Sequence, residues 1–227
     1  MDYISLNKDT YNVIASQFSG TRDYLWEDLK MLEKYILQQT TVADIGCGNG
    51  RLYQLFAKSQ CSYLGIDQSQ ELIDLATKKF PLATFETQEM STLVLPTNHF
   101  DQIWLIASFH HLPDYQTRIY CLQQMVSALK SGGTIIMLNW NMEGEWVQKK
   151  VAQGAYKKDA NSGFIVPWRD GSKFNFGDRY YYGFSTNELE QLAKDVDANV
   201  IEQYYIKRGD VSDMQQGDNL ISIFQKK

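Results

Sequence analysis

Val42-Ala43-Asp44-Ile45-Gly46-Cys47-Gly48-Asn49-Gly50 decides how this chain is read. A short apolar run, interrupted by one acid, leads into glycines at every second position. With the helical stretch Arg51–Lys58 behind it, the pattern predicts a buried strand, a tight turn and a helix. Glycines at such a turn let the backbone approach a ligand closely. Outward from this point, strands are predicted at Thr41–Ile45, Tyr63–Ile66, Ala83–Phe85, Gln102–Ala107 and Thr134–Asn139. Helices are predicted between them at Gln70–Phe80 and Gln116–Lys130, with Lys130-Ser131-Gly132-Gly133 as a stop and turn. The alternation predicts an α/β fold with a mostly parallel sheet and helices on both faces.

Two ligand readings of the turn compete. A dinucleotide turn has the spacing GxGxxG, but here Arg51 stands where the third glycine would be. Asp44 precedes the first glycine, where its carboxylate would repel a pyrophosphate. It suits a ligand carrying positive charge, such as the sulfonium and amino groups of S-adenosylmethionine. A glycine turn with no ligand is the remaining alternative. A second acid ends the next strand, in Tyr63-Leu64-Gly65-Ile66-Asp67-Gln68, placed to accept hydrogen bonds from ribose hydroxyls. Otherwise Asp67 only opens the turn before the Ser69 helix cap. Glu89-Met90 follows the third strand, where the acid would bond an adenine amine and Met90 would cover a ring face; the alternative is a solvated loop acid.

Composition narrows the field further. A chain of 227 residues fits one large domain, or a domain with an insertion. The net charge of −5 gives no global pull on nucleic acid. Cys47, Cys61 and Cys121 show no paired spacing and read as reduced thiols, and no His/Cys cluster has metal-site spacing. Met1-Asp2-Tyr3-Ile4-Ser5 has no signal-peptide character, and no apolar run approaches the roughly 18–20 residues that span a bilayer. A cytoplasmic protein is expected, with no membrane partner.

The flanks supply the rest of the site. Tyr11, Ile14, Ala15 and Phe18 share one helical face, and Leu25, Trp26, Leu29, Leu32 and Ile36 a second. From about 141 to 182 the α/β rhythm gives way to a stretch rich in aromatics, too long for a plain connection and read as a functional lid. Between Trp146 and Arg179 it holds Lys149, Lys150, Lys157, Lys158, Arg169, Lys173 and Arg179 against Asp159, Asp170 and Asp178. That local excess would follow a phosphate backbone, or be a solvated face. Ser185-Thr186-Asn187-Glu188 is a capping box, and Val200–Ile206 with Leu220–Phe224 predicts a terminal antiparallel pair. His110-His111, after the fourth strand, would position or deprotonate a nucleophile; alternatively one caps a carbonyl and the other is solvated.

Over residues 40–140 the chain resembles the class I S-adenosylmethionine-dependent methyltransferases. Asp44, Gly46, Gly48, Gly50, Asp67 and Glu89 fall on that family's cofactor positions, Glu89 where the family usually has Asp. The resemblance implies a Rossmann-like, seven-stranded, mostly parallel sheet with one antiparallel strand. It also implies S-adenosylmethionine as cofactor and S-adenosylhomocysteine as product. Tyr11-Asn12-x-Ile14-Ala15-x-x-Phe18-Ser19-x-Thr21-Arg22-x-x-x-Trp26, His110-His111-Leu112, Val166-Pro167-Trp168 and Arg179-Tyr180-Tyr181-x-x-Phe184 resemble one subfamily, the tRNA wobble-uridine methyltransferases. That family esterifies 5-carboxymethyluridine in tRNA, and its eukaryotic members work with a small zinc-binding activator subunit. Carried over by position, Arg22, His111, Trp140 and Arg179 are the implied catalytic residues, with His110, Trp168 and Tyr180 at the substrate. Where the family has His after Arg-Tyr-Tyr, this chain has Tyr182. The implied organisation is N-terminal helices over residues 1–40, a cofactor-binding core over 41–140, a substrate lid over 141–182, and a helix with strands completing the sheet over 183–227. A small-molecule methyltransferase and a non-catalytic cofactor-binding module stay open as alternatives.

Overall fold

The computed structural model describes residues 1–22, 24–160, 162–169 and 174–227. In chain order its elements are α1 (Tyr3–Gly20), α2 (Glu27–Lys30), β1 (Thr41–Ile45), α3 (Tyr53–Phe56), β2 (Ser62–Asp67), α4 (Gln70–Lys79), β3 (Thr84–Thr87) and β4 (Phe100–Ile106). There follow α5 (Tyr115–Ala128), β5 (Leu129–Trp140), α6 (Glu145–Ala152), β6 (Lys157–Lys158), β7 (Gly163–Trp168) and β8 (Gly177–Tyr182). The chain ends with α7 (Thr186–Asp195), β9 (Ala198–Lys207), β10 (Asp210–Ser212) and β11 (Asn219–Lys226).

The main sheet runs β10-β9-β11-β5-β4-β1-β2-β3. The pairs β1–β2, β1–β4, β2–β3 and β4–β5 are parallel, and β11 is antiparallel to both β5 and β9. The expected seven strands are therefore present, and the three-residue β10 adds a short eighth at the β9 edge. Strand alternation divides the core into two layers. Ala43, Ile45, Ile103, Leu105, Ile135 and Met137 pack under α5 and α7. Val42, Trp104, Ile136 and Leu138 pack under α2 and α3.

Caps fix where the helices begin. Asp2 accepts from the amides of Ile4 and Ser5, Ser69 from Leu72, and Asp114 from Thr117. Ser185 accepts from Glu188, but the Glu188 carboxylate takes Arg118 at 3.2 Å, so the capping box is half made. Arg118 also donates to the Leu112 and Pro113 carbonyls and lies 3.4 Å from the Tyr182 ring centroid. Tyr182, the departure from the family pattern, is thus a platform for Arg118.

Three expectations need correction. Helix α5 stops at Ala128, and Lys130–Gly133, expected as a turn, lies within β5. The second N-terminal helical face is broken into the four-residue α2 and a 3₁₀ segment, Met31–Tyr35. Residues 141–182, which showed no period, hold α6 and an antiparallel sheet ordered β6-β7-β8.

This small sheet is tied to α1 rather than to the main sheet's edge. The buried Asn7 amide donates to the Tyr180 carbonyl at 3.2 Å and accepts from the Tyr180 N–H at 2.7 Å. Thr10 donates to the Asp178 carbonyl at 2.7 Å. One side chain thereby satisfies β8's outer backbone as a neighbouring strand would. Asn7→Ala leaves the buried Tyr180 N–H unpaired and should cost roughly 1–3 kcal/mol. Urea unfolding should show a lower midpoint with an unchanged slope; a midpoint equal to wild type would show that this bond does not hold the small sheet.

Candidate active site

A cavity of about 760 Å³ opens at the carboxyl ends of β1, β2, β4 and β5, beneath α1 and the β6-β7-β8 sheet. That is where an open parallel sheet collects ligands. Its walls include Asp44, Gly46, Gly48, Asp67, Gln68 and Met90 on the glycine-turn side. Arg22, His111, Trp140 and Arg179 line the other side.

Alternation puts Asp44 on the same strand face as Val42, toward Tyr63. Asp44 is 1% exposed, and its Oδ2 accepts from the Tyr63 hydroxyl at 2.6 Å. Its Oδ1 is buried with no partner among the described residues. Burial pushes this carboxyl up to about 7, helped by the nearby Asp67 charge and opposed by the Tyr63 bond and Arg51. Asp67 accepts from the Gly48 amide at 2.8 Å and the Ser69 amide at 2.9 Å. Each carboxylate oxygen has a second lone pair, so Asp67 keeps acceptor capacity on the cavity wall. Gly46 has φ +78°, and a Cβ there would lie 2.2 Å from the Ser108 Cβ. Ser108 is brought there by Ala107, itself at φ +55°, and donates to the Ile45 carbonyl at 2.6 Å.

The two histidines hold opposite tautomers. His111 lies 2.8 Å from the Tyr180 carbonyl through Nδ1; a carbonyl only accepts, so Nδ1 carries the proton. Its Nε2 then accepts from the Tyr11 hydroxyl at 3.1 Å. In His110 the Nδ1 accepts from the Trp140 amide at 3.1 Å, which leaves the proton on Nε2. Burial pulls His111 down to about 4 and His110 well below its ordinary value, with Arg179 adding to both effects. Both rings are neutral at neutral pH; His110 is buried, and His111 is half-buried on the cavity wall. Tyr11 carries this arrangement; its helical face and its place in the N-terminal motif assign it no role at the site.

Arg179 is 4% exposed, and among the described residues no carboxylate pairs with it. Aromatic rings surround it instead, with Trp168 at 5.1 Å, Tyr181 at 5.2 Å and Tyr11 at 5.8 Å. Arg22 lies 5.9 Å from the same Trp168 ring. Trp140 and Tyr181 are stacked, their centroids 4.8 Å apart.

Five sequence-predicted residues are off the cavity wall. Gly50 is at φ +72°, and a Cβ built there would lie 2.8 Å from Phe85 and 3.1 Å from Phe80. Glu89 accepts from the Ser91 hydroxyl, while Gln88, Met90 and Ser91 line the cavity. His110 is sealed behind Trp140 and Tyr181. Trp168 is buried between the two arginines rather than open for base stacking. Tyr180 faces α1 and stacks on Tyr3, while Tyr181 takes the cavity face. The period of two along β8 places Arg179 and Tyr181 together and Tyr180 opposite, a signal that needs the strand to be known first.

Residues 42–133 match the methyltransferase domain family. The chain is 32% identical over 142 residues to the mouse tRNA (carboxymethyluridine(34)-5-O)-methyltransferase ALKBH8, covering 62% of this chain and 20% of the mouse protein. The chain thus spans about a fifth of that relative's length. The Schizosaccharomyces pombe tRNA (carboxymethyluridine(34)-5-O)-methyltransferase is 24% identical, with 86% of this chain and 89% of that one covered. Among solved structures, the complex of the Haloferax volcanii Trm112 methyltransferase activator with a putative methyltransferase matches at TM-score 0.71 and 18% identity, covering 95% and 96%. That likeness shows the shared fold.

The sequence resemblance implies S-adenosylmethionine as the cofactor. The wall chemistry fits it: an orphaned buried carboxylate oxygen for a cationic group, and a second acid with spare acceptors for ribose. Asp44 is protonated below about pH 7 and anionic above it. A bound cation favours the anion, so binding releases a proton at low pH. Cofactor affinity measured by calorimetry should therefore rise with pH through neutrality, by up to about tenfold per unit below the titration. Asp44→Asn should bind weakly and flatten the profile; an unchanged profile would remove Asp44 from the site.

Proposed function

We propose that this protein methylates the carboxylate of 5-carboxymethyluridine at the wobble position of tRNA. One observation carries the choice of a carboxylate. Arg179 is a buried cation on the cavity wall with no acid beside it among the described residues. A buried charge of this kind calls for a counter-ion, and a guanidinium fork matches a carboxylate in two-point fashion. The names of the relatives give that carboxylate its setting in tRNA.

The chemistry asks little of acid–base groups. When bound, the cofactor supplies an electrophilic methyl group on a sulfonium. A carboxylate is ionised at neutral pH and needs aiming rather than deprotonation. His111 is neutral with both ring nitrogens engaged, so it positions Tyr11 and the Tyr180 backbone instead of serving as a base. Arg179 orients the carboxylate, with Arg22 across Trp168 as a second cation. Trp140 and Tyr181 offer an aromatic wall for an extruded base. Lys157 and Lys158 on the exposed β6 are candidates for phosphate contacts; Asp170 and Lys173 lie outside the described residues. A small activator subunit fits the β3 edge, where Leu82 is 91% and Val94 68% exposed.

Labelled methyl transfer should occur to tRNA bearing carboxymethyluridine and not to tRNA lacking it. Arg179→Met should lower kcat/KM by roughly 30- to 1,000-fold, the penalty for losing a buried charged partner, while Arg179→Lys retains part. No incorporation into either tRNA, with and without an activator of the structurally similar archaeal type, would overturn the proposal.

A further inference from the structure

Helix α6 packs along one stripe and leaves the next one open. Val147 is 3% exposed and, with Val151 four residues on, belongs to a cluster with Met142, Phe164, Val166 and Tyr181. Trp146 and Lys150 form the adjoining i, i+4 stripe, the Lys150 Nζ lying 5.5 Å from the indole centroid. Tyr156 meets the indole edge-on at 5.7 Å. Trp146 is nonetheless 50% exposed, and it lines the cavity. Half of this large ring stays in water, so packing gains little from a tryptophan there.

The ring is nevertheless held in place. The helix opens at Gly144, where a Cβ would lie 2.9 Å from the Asn141 Nδ2 and 3.1 Å from the Gly217 carbonyl. From that nitrogen the buried Asn141 donates to the Met214 and Gly217 carbonyls, at 2.7 and 2.8 Å. The Glu145 amide donates to the Gln215 carbonyl at 2.9 Å. The start of α6 is thus fixed against residues 214–217, one position before the indole. The charge around the ring is positive: Glu145 is paired with Lys149 at 3.8 Å, whereas Lys150 has no ion pair among the described residues. Tyr156 leads directly into the exposed Lys157 and Lys158 of β6.

Deeper in the cavity, Trp140 and Tyr181 already form an aromatic wall for the reacting base. A nucleotide within a strand does not enter alone, because its neighbours are covalently tied to it and stop at the opening. We propose that Trp146 is the platform on which a base adjacent to the methylated uridine stacks. The inference rests on the tRNA reading above and deepens it, adding a site for a nucleotide that does not react. Val147 packs in one cluster with Tyr181, so the inner wall and the platform belong to one packed unit. Every base has a π-face, so such a platform selects a strand rather than a sequence.

Binding of three anticodon hairpins, each carrying carboxymethyluridine, tests this by fluorescence anisotropy. One hairpin is complete, one lacks the base on the 5′ side of the target, and one lacks the base on its 3′ side. The wild type should bind one of the two base-less hairpins roughly 5- to 100-fold more weakly than the complete one, the worth of one base–aromatic stack. Trp146→Ala should weaken the complete hairpin by a similar factor and bind it and that base-less hairpin to within about threefold of each other. Trp146→Leu, which fills the space beside Tyr156 without a π-face, should behave like Trp146→Ala, and Trp146→Phe should keep most of the wild-type preference. Equal binding of all three hairpins by the wild type, or a wild-type preference retained in Trp146→Ala or Trp146→Leu, would overturn the assignment. Wild-type protein that binds no hairpin would overturn the tRNA reading itself, a result distinct from the others.

Discussion

A carboxylate oxygen sits at the end of a central strand, buried and without a partner among the described residues, and much of the structure follows from keeping it there. Asp44 cannot turn outward, because Tyr63 of the neighbouring strand holds its other oxygen. It cannot shed its charge above about neutral pH. Such a group costs stability unless something completes it. The same holds for the Arg179 guanidinium. Two incompletely paired charges on the walls of one cavity are hard to explain as packing and simple to explain as sites for opposite charges. Binding free energy from ligands offsets in the complex what the free protein leaves unsatisfied.

The β8 side of the cavity depends on α1. Helix α1 is not part of the main sheet, yet through Asn7 and Thr10 it satisfies the outer backbone of β8. This sets the phase of β8, and the phase sends Arg179 and Tyr181 into the cavity. The Tyr180 carbonyl, already receiving Asn7, also receives His111, so α1, β8 and the loop after β4 meet at one oxygen. Tyr11 closes the circuit from α1 to His111. The histidine pair is best understood as part of this scaffold. Its two tautomers are fixed by backbone groups of β5 and β8, and so hold those strands at the site.

The legibility of the sequence tracks how local each signal is. Asp44, Asp67 and the parallel core were readable because an apolar run, a turn and a helix follow one another within about a dozen residues. The eighth strand was not, since three residues of an edge hairpin carry no periodicity. The lid sheet was hidden for a different reason. In Arg179-Tyr180-Tyr181-Tyr182 every position is large and amphipathic, so burial on both faces leaves no alternation to read. Tyr180 and Tyr181 are equivalent in sequence and opposite in space, and only the pairing of β7 with β8 separates them. Gly50 was placed by its spacing alone, although what excludes a side chain there is the crowding of Phe80 and Phe85. Glu89 lies off the cavity wall for a local reason, because a one-residue shift at a 3₁₀ turn exchanges which side chains face the cavity.

On the proposed reaction, charge supplies direction as well as binding. The substrate brings an anion to Arg179, and esterification removes it. The guanidinium that was neutralised in the substrate complex is then left as it is in the free protein, so the product loses the interaction that selected the substrate. Transfer also brings a carboxylate and a sulfonium together into two neutral groups, and a buried, aromatic-walled cavity favours that coalescence more than water does. Neutral histidines are consistent with this, because a protonated imidazole beside Arg179 would compete with the methyl donor for the same anion. The low pKa of His111, imposed by burial and by Arg179, keeps Arg179 the dominant cation facing the substrate.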